Sequence, residues 1–231
     1  AIQTYFNQKQ ELVGKKAIVT AGPTYENIDP VRFIGNHSSG KMGFAIAEEL
    51  AKRGALVTLI AGPVEIEHTN HGITRINVTS ANEMFLNVDA LFASCDIAIM
   101  SAAVADYTPI QVASQKIKKQ NDAGLTIELQ KTKDILKHIG NKKSDHQIVV
   151  GFALETENEE LNAQKKLKEK NADFIVLNSM NNKGAGFKHN TNQVTILKNN
   201  GEKLHYNLKS KYDVAIDIVN EVVKTIENKH A

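Results

Sequence analysis

The chain has 231 residues, enough for one large α/β domain or two small ones, with one expected. Its 28 Lys and Arg nearly balance 26 Asp and Glu, which argues against nucleic acid or an anionic membrane as a partner. The only cysteine, Cys95 in the apolar run CDIAIM, excludes an internal disulfide framework and reads as a buried, inert thiol in a reducing compartment.

No apolar run approaches the roughly 18 to 20 residues that cross a bilayer, and the opening AIQTYFNQKQELVGKK lacks the apolar block of a signal peptide, so the cytoplasm is expected. Residues 1–14 read as a lead-in to a single domain spanning 1–231. KKAIVTAG is a β-type run ending in the turn residues Gly22 and Pro23, as a buried strand does. After the polar excursion PTYENIDPVRFI, Phe44, Ala47, Leu50 and Ala51 share one face of a helix over Lys41 to Arg53, with Gly54 in the C-cap position. The strand ALVTLIAGP completes a βαβ unit. ITRINV is a further strand, and Ser80 with Glu83 forms a capping box for a helix from about Ala81.

DIAIM is the next strand. Residues 101–124 show no clear period, and a long excursion of this kind in a compact domain is usually functional. LTIEL, QIVVGFA and DFIVLN read as strands, DILKHIG as a short helix and ENEELNAQKKLKEKN as a charged helix. QVTIL and KLHYNL flank Asn200-Gly201, a strong hairpin signal, and a helix over about Lys211 to Glu227 closes the chain. The fold class is therefore α/β: a doubly wound, Rossmann-like, mostly parallel sheet of five or six parallel strands with a C-terminal β-hairpin and helix.

Four groups of residues carry candidate chemistry. GNHSSGKMG, residues 35–43, nearly reproduces a nucleoside-triphosphate loop, but Met42 stands where a hydroxyl should hold magnesium. A helix start flanked by Gly40 and Gly43, with Lys41 beside it, still suits an anion approached by backbone N–H groups. SAAVADY, residues 101–107, leaves room for a flat ligand beside Asp106, an acceptor for an amino group or a ribose hydroxyl, or else a turn aspartate. KIKK places Lys116, Lys118 and Lys119 together. Lys166 and Lys170 share a helix face, either for substrate or as exposed partners of Glu159, Glu160 or Glu169. No Ser-His-Asp or Cys-His pattern and no clustered metal ligands accompany them. That combination suits stabilising a phosphoryl group by charge. His37 is either a base or a hydrogen-bond donor.

The blocks TAGPTYENIDPVRFIGNHSSGKMG, SAAVADY, KIKK, VGFALETEN and KLKEKNADFIVLN, in this order, closely resemble the phosphopantothenoylcysteine synthetase domain of bacterial coenzyme A biosynthesis, from about Lys15 to Val222. The resemblance implies a Mg²⁺-dependent ligase that joins 4'-phosphopantothenate to L-cysteine using CTP, through an acyl-cytidylate. It also implies a homodimer and, in many bacteria, a flavin-dependent decarboxylase half preceding the domain. No such half is present in these 231 residues, so an excised domain or a stand-alone form is expected. By motif, Asn36 handles the acyl-nucleotide, Ser38, Ser39 and Gly40 hold the substrate phosphate, and Ala102, Ala103 and Asp106 border the cytidine. Lys116, on a flexible flap over residues 104–124, stabilises the transferring phosphoryl. Phe152 packs on the nucleotide, while Lys166 and Lys170 meet its triphosphate. The metal ligands are left open, magnesium being expected to arrive on CTP. Thr132 and Lys133 stand where many members have Asn-Pro, which leaves the ligand contacts of residues 130–133 open but not the reaction. The rival readings are an NAD(P)-dependent oxidoreductase, disfavoured by the absent dinucleotide fingerprint, and a non-catalytic nucleotide- or flavin-binding module.

Overall fold

The computed structural model describes residues 10–118, 124–179 and 189–230. Six strands run parallel: β1 (Lys16–Ala21), β4 (Leu56–Ala61), β5 (Ile73–Asn77), β6 (Ile97–Met100), β9 (Ile148–Glu155) and β10 (Phe174–Ser179). Their order across the sheet is β5-β4-β1-β6-β9-β10, and β12 (Val194–Lys198) and β13 (Lys203–His205) extend it antiparallel beyond β10. Counted along the chain, the parallel strands follow 3-2-1-4-5-6, the doubly wound order with its switch point between the first and fourth. Connections leave β1 and β6 in opposite directions, so a crevice opens above their carboxyl ends.

The helices are α1 (Lys41–Lys52), α2 (Ala81–Phe92), α3 (Ile135–Lys142), α4 (Glu159–Glu169) and α5 (Lys211–His230). Helices α1 and α5 cover one face, where Phe44, Leu50, Val214 and Ile218 pack on Ala17, Val19 and Ala21. The other face carries α2, α3 and α4, whose Met84, Ile139 and Leu167 share a core with Ile18. Burial on both sides is why the strands read as near-continuous apolar runs. Cys95 lies in this second core, and burial pushes its thiol up to about 12. No helix among the described residues is long and apolar enough to cross a membrane.

The expected punctuation is present. Gly54 adopts φ 95° and its N–H bonds Ala51 O, ending α1 in the left-handed conformation that only glycine takes freely. Gly201, φ 86°, turns β12 into β13. At α2, Ser80 Oγ accepts the Glu83 N–H at 3.2 Å, while the Glu83 carboxylate accepts Thr79 N–H at 2.6 Å, one residue before the position a capping box specifies.

Three expectations change. LTIEL is not a strand of the main sheet: residues 124–128 are irregular, and only its last residue begins β8 (Leu129–Lys131), paired with β7 (Tyr107–Pro109) in a separate two-stranded sheet. Its alternation lacks a neighbouring strand, and Leu125 is exposed. PTYENIDPVRFI folds into a hairpin of β2 (Tyr25–Asn27) and β3 (Phe33–Gly35), with the Tyr25 and Phe33 rings stacked at 3.8 Å. Finally, α5 runs to His230, past Glu227. A third small pair, β11 (Thr191–Asn192) with β14 (Lys209–Ser210), leads into α5.

Candidate active site

A cleft of about 930 Å³ lies over the carboxyl ends of the central strands, at the switch point. Its first wall is the loop entering α1. Gly40 is the N-cap with φ 77° and no side-chain cap, and the first turn of α1 holds no acidic residue. The positive end of the helix dipole is thus left for an anion from outside the helix. Ser38 Oγ accepts the Gly40 N–H at 3.4 Å, and Lys41 Nζ donates to Asn190 Oδ1 at 2.7 Å. Gly43 has a different use from the one expected. A Cβ there would stand 2.6 Å from Ala21 Cβ and 2.7 Å from Ser101 Oγ, so its missing side chain lets α1 settle on the sheet.

The loop after β6 forms the second wall and is sewn to the first. Ala102 N–H donates to Thr20 Oγ1 at 3.2 Å, Ala103 N–H to Gly22 O at 2.9 Å and Ala105 N–H to Thr24 Oγ1 at 2.9 Å. Asn36 Nδ2 donates to the carbonyls of Ala103, at 3.0 Å, and Val104, at 3.3 Å. Two acceptors on that side fix which end of the Asn36 amide carries the nitrogen. Its donor end is therefore already engaged, a feature the motif did not reveal.

The third wall is cationic. Seven lysines line the cleft (41, 131, 133, 165, 166, 170 and 211) against four carboxylates (Asp106, Asp134, Glu155 and Glu169). Burial holds the Lys166 ammonium below the usual lysine range; Glu155 opposes this and Lys170 adds to it. Lys170 donates to Asp134 Oδ2 at 2.5 Å, and Asp134 also caps α3 by accepting the Lys137 N–H at 2.9 Å. Burial alone would raise the Asp134 carboxyl, but the Lys170 bond with the Lys137 N–H more than offsets it, and the net shift is downward. Lys211, 8% exposed, is also held down by burial and by the neighbouring Lys41 charge.

Asn36, Ser38, Ser39, Gly40, Ala102, Ala103, Asp106, Phe152, Lys166 and Lys170 all line this one cleft. Lys116 is not among its lining residues: it is exposed, and the next residue, Ile117, is bonded to the β2–β3 hairpin. Lys118 is likewise exposed, Lys119 lies outside the described residues, and exposed His37 does not line the cleft. Sequence reasoning missed Lys131, Lys133, Lys165, Asn178 and Lys211. For Lys211 a signal existed, since a lysine opening a helix opposes the dipole. Asn178 is the last residue but one of a parallel strand, at the carboxyl edge where such sheets bind ligands.

Residues 12–226 match the model of the family described as the DNA/pantothenate metabolism flavoprotein C-terminal domain. The chain belongs to this family. Among relatives of this flavoprotein domain, the chain is 48% identical over 224 residues to the coenzyme A biosynthesis bifunctional protein CoaBC of Haemophilus influenzae, covering 97% of this chain and 55% of that protein. It is 44% identical over 227 residues to a protein of an unidentified prokaryote named cysteine/cysteine sulfinic acid decarboxylase, covering 96% of this chain and 63% of that one. The chain therefore spans between about half and two thirds of the curated relatives it matches. The crystal structure of the C-terminal domain of a CoaBC superposes with a TM-score of 0.81 at 40% identity, covering 95% of this chain and all of that one.

Proposed function

We propose that this domain is a phosphopantothenate–cysteine ligase that forms 4'-phospho-N-pantothenoylcysteine in the cytoplasm through an acyl-cytidylate. The observation that carries the reading is the pairing of an uncapped helix N-terminus with a lysine wall across one cleft at the switch point. The relatives named for coenzyme A biosynthesis and the superposing CoaBC domain support it.

The chemistry follows from the leaving group. A carboxylate does not expel oxide, so its oxygen attacks the α-phosphorus of CTP and diphosphate departs. The cysteine amine then attacks the acyl carbon, CMP leaves with the oxygen and the nitrogen loses its proton. Both steps gather negative charge, which fixed donors and cations stabilise. Ser38, Ser39 and the Gly40 N–H hold the phosphate of phosphopantothenate. Ala102, Ala103 and Phe152 border the cytidine beside Asp106, while Lys166 and Lys170 receive the triphosphate. Asn36 serves the acyl oxygen by giving up one of its carbonyl partners, and Lys116 serves the transferring phosphoryl. Among the described residues there is no cluster of three or more His, Cys, Asp or Glu suited to a metal. The amine-rich lining suits phosphate oxygens, and Mg²⁺ carried on CTP would supply charge neutralisation there.

A homodimer is part of the proposal. Val31, Phe33, Tyr107, Ile110, Val112 and Leu129, all at least 41% exposed, lie on the two small hairpins or the segment following β7. Exposed apolar side chains at these positions suit a subunit interface. A flavin-dependent decarboxylase half or partner, as in bifunctional relatives, belongs to the same proposal.

CTP with Mg²⁺ is expected to raise the melting temperature, with NADPH and FMN giving no shift. In a single turnover, pyrophosphate release that needs phosphopantothenate but not cysteine supports the acyl-nucleotide route. A strict cysteine requirement counts against it, and stabilisation by FMN or NADPH in place of CTP overturns the ligase reading.

A further inference from the structure

Asp29 lies between the strands of the β2–β3 hairpin, 1% exposed, with every acceptor position in use. Its Oδ1 accepts the N–H groups of Val31 at 2.8 Å and Arg32 at 2.9 Å. Its Oδ2 accepts Arg32 Nε at 3.0 Å, Arg32 Nη2, and the backbone N–H of Ile117 at 3.1 Å. The same Arg32 Nη2 donates to Ile117 O at 3.0 Å. One residue of the KIKK segment thus has both of its main-chain polar groups held by an ion pair more than eighty positions away in the chain.

A surface segment ordinarily gives these groups to water. Residues 111–118 have no helix or strand of their own, and among the described residues the other backbone tie there is Ala113 N–H to Ile28 O at 3.0 Å. Lys116 and Lys118 flank the clasped residue and are exposed. Their placement therefore depends on the clasp, because among the described residues no helix, strand or bond within the segment fixes φ and ψ over this stretch. Hydrogen bonds with ionised partners are the stronger kind, and the Arg32 guanidinium holds the Asp29 carboxyl well below the usual carboxylate range, so the clasp persists across neutral and mildly acidic pH.

We propose that Asp29 is the positioning residue for Lys116: through its bonds to Arg32 and the Ile117 N–H, it sets where Lys116 and Lys118 stand. The role of Lys116 in phosphoryl transfer rests on the ligase reading above; the clasp itself does not. Two readouts keep the two apart. Trypsin cleaves after Lys116 and Lys118, and Asp29→Asn, which keeps the shape but turns an acceptor into a donor facing two donors at the Oδ1 position or three at Oδ2, is expected to speed cleavage there about tenfold with other sites unchanged. Should that variant fold poorly, Arg32→Gln, which spares the carboxylate, gives the same readout. In single turnover with CTP and phosphopantothenate, Asp29→Asn is expected to slow pyrophosphate release about tenfold while leaving CTP affinity unchanged, and to add nothing in a Lys116→Gln background. Unchanged cleavage overturns the clasp. Full additivity with Lys116→Gln overturns its action through Lys116. A wild-type chain releasing no pyrophosphate overturns the ligase reading, while the cleavage comparison still decides whether the clasp holds the segment.

Discussion

Lys166 is a cation kept where burial disfavours its charge, and the sign of that shift has consequences. A lysine whose folded pKa lies below its unfolded value penalises the fold fully below the folded pKa. The penalty lifts as pH rises through that value towards the unfolded one near 10.5. A triphosphate at the same place reverses the sign by favouring the ammonium. Lys166→Met is therefore expected to stabilise the ligand-free domain by about 1 kcal/mol, raising its melting temperature by about 2 to 4 °C, and to weaken CTP binding about tenfold. Differential scanning fluorimetry with and without CTP checks both parts. The Asn36 amide gives a second test. Asn36→Asp sets a carboxylate against the carbonyls of Ala103 and Val104 and removes the donor proposed for the acyl oxygen. Consumption of the acyl-cytidylate is expected to slow by about 10²-fold with the far-ultraviolet circular dichroism unchanged, as rapid quench would show.

At the scale of elements, what positions the lysine wall is the close contact of α3 with the end of α4. A Cβ at Gly140 would fall 1.9 Å from Lys170 O, and Asn171 Nδ2 bonds Gly140 O at 2.8 Å. The absent side chain on α3 thereby brings Lys170 within reach of Asp134 at the other end of the same helix. Gly140→Ala is expected to cost about 2 to 3 kcal/mol in urea unfolding and to weaken CTP binding by the displacement of Lys170. Elements differed in how legible they were. QIVVGFA and DFIVLN read clearly because strands buried on both faces must be apolar throughout. LTIEL carries as good an alternation and is irregular, because β-propensity expresses fit to neighbouring strands that are absent there. The β2–β3 hairpin was hidden for the converse reason: its polar sequence is held by the Asp29–Arg32 pair and the Tyr25–Phe33 stack.

For the molecule as a whole, the apolar side chains of the two hairpins predict self-association. Analytical ultracentrifugation is expected to show a dimer, converted to a folded monomer by Ile110→Asp with Val31→Asp, both exposed positions at which a charge costs an isolated chain little. Wild-type protein that sediments as a monomer at micromolar concentration removes the dimer from the proposal.

By itself the sequence determined the alternation of strands and helices, the glycine stops, the glycine-flanked loop at the head of α1 and ten of the residues that line the cleft. These depend on neighbours within a turn or a strand, where backbone geometry and apolar periodicity act directly. Only the tertiary structure decided that Lys211 and Asn178 join that cleft, that the Asn36 donor is already engaged and that Ile117 is clasped by Asp29. Each of these depends on which strands lie side by side, and hydrogen bonding and charge across such distances leave no period along the chain.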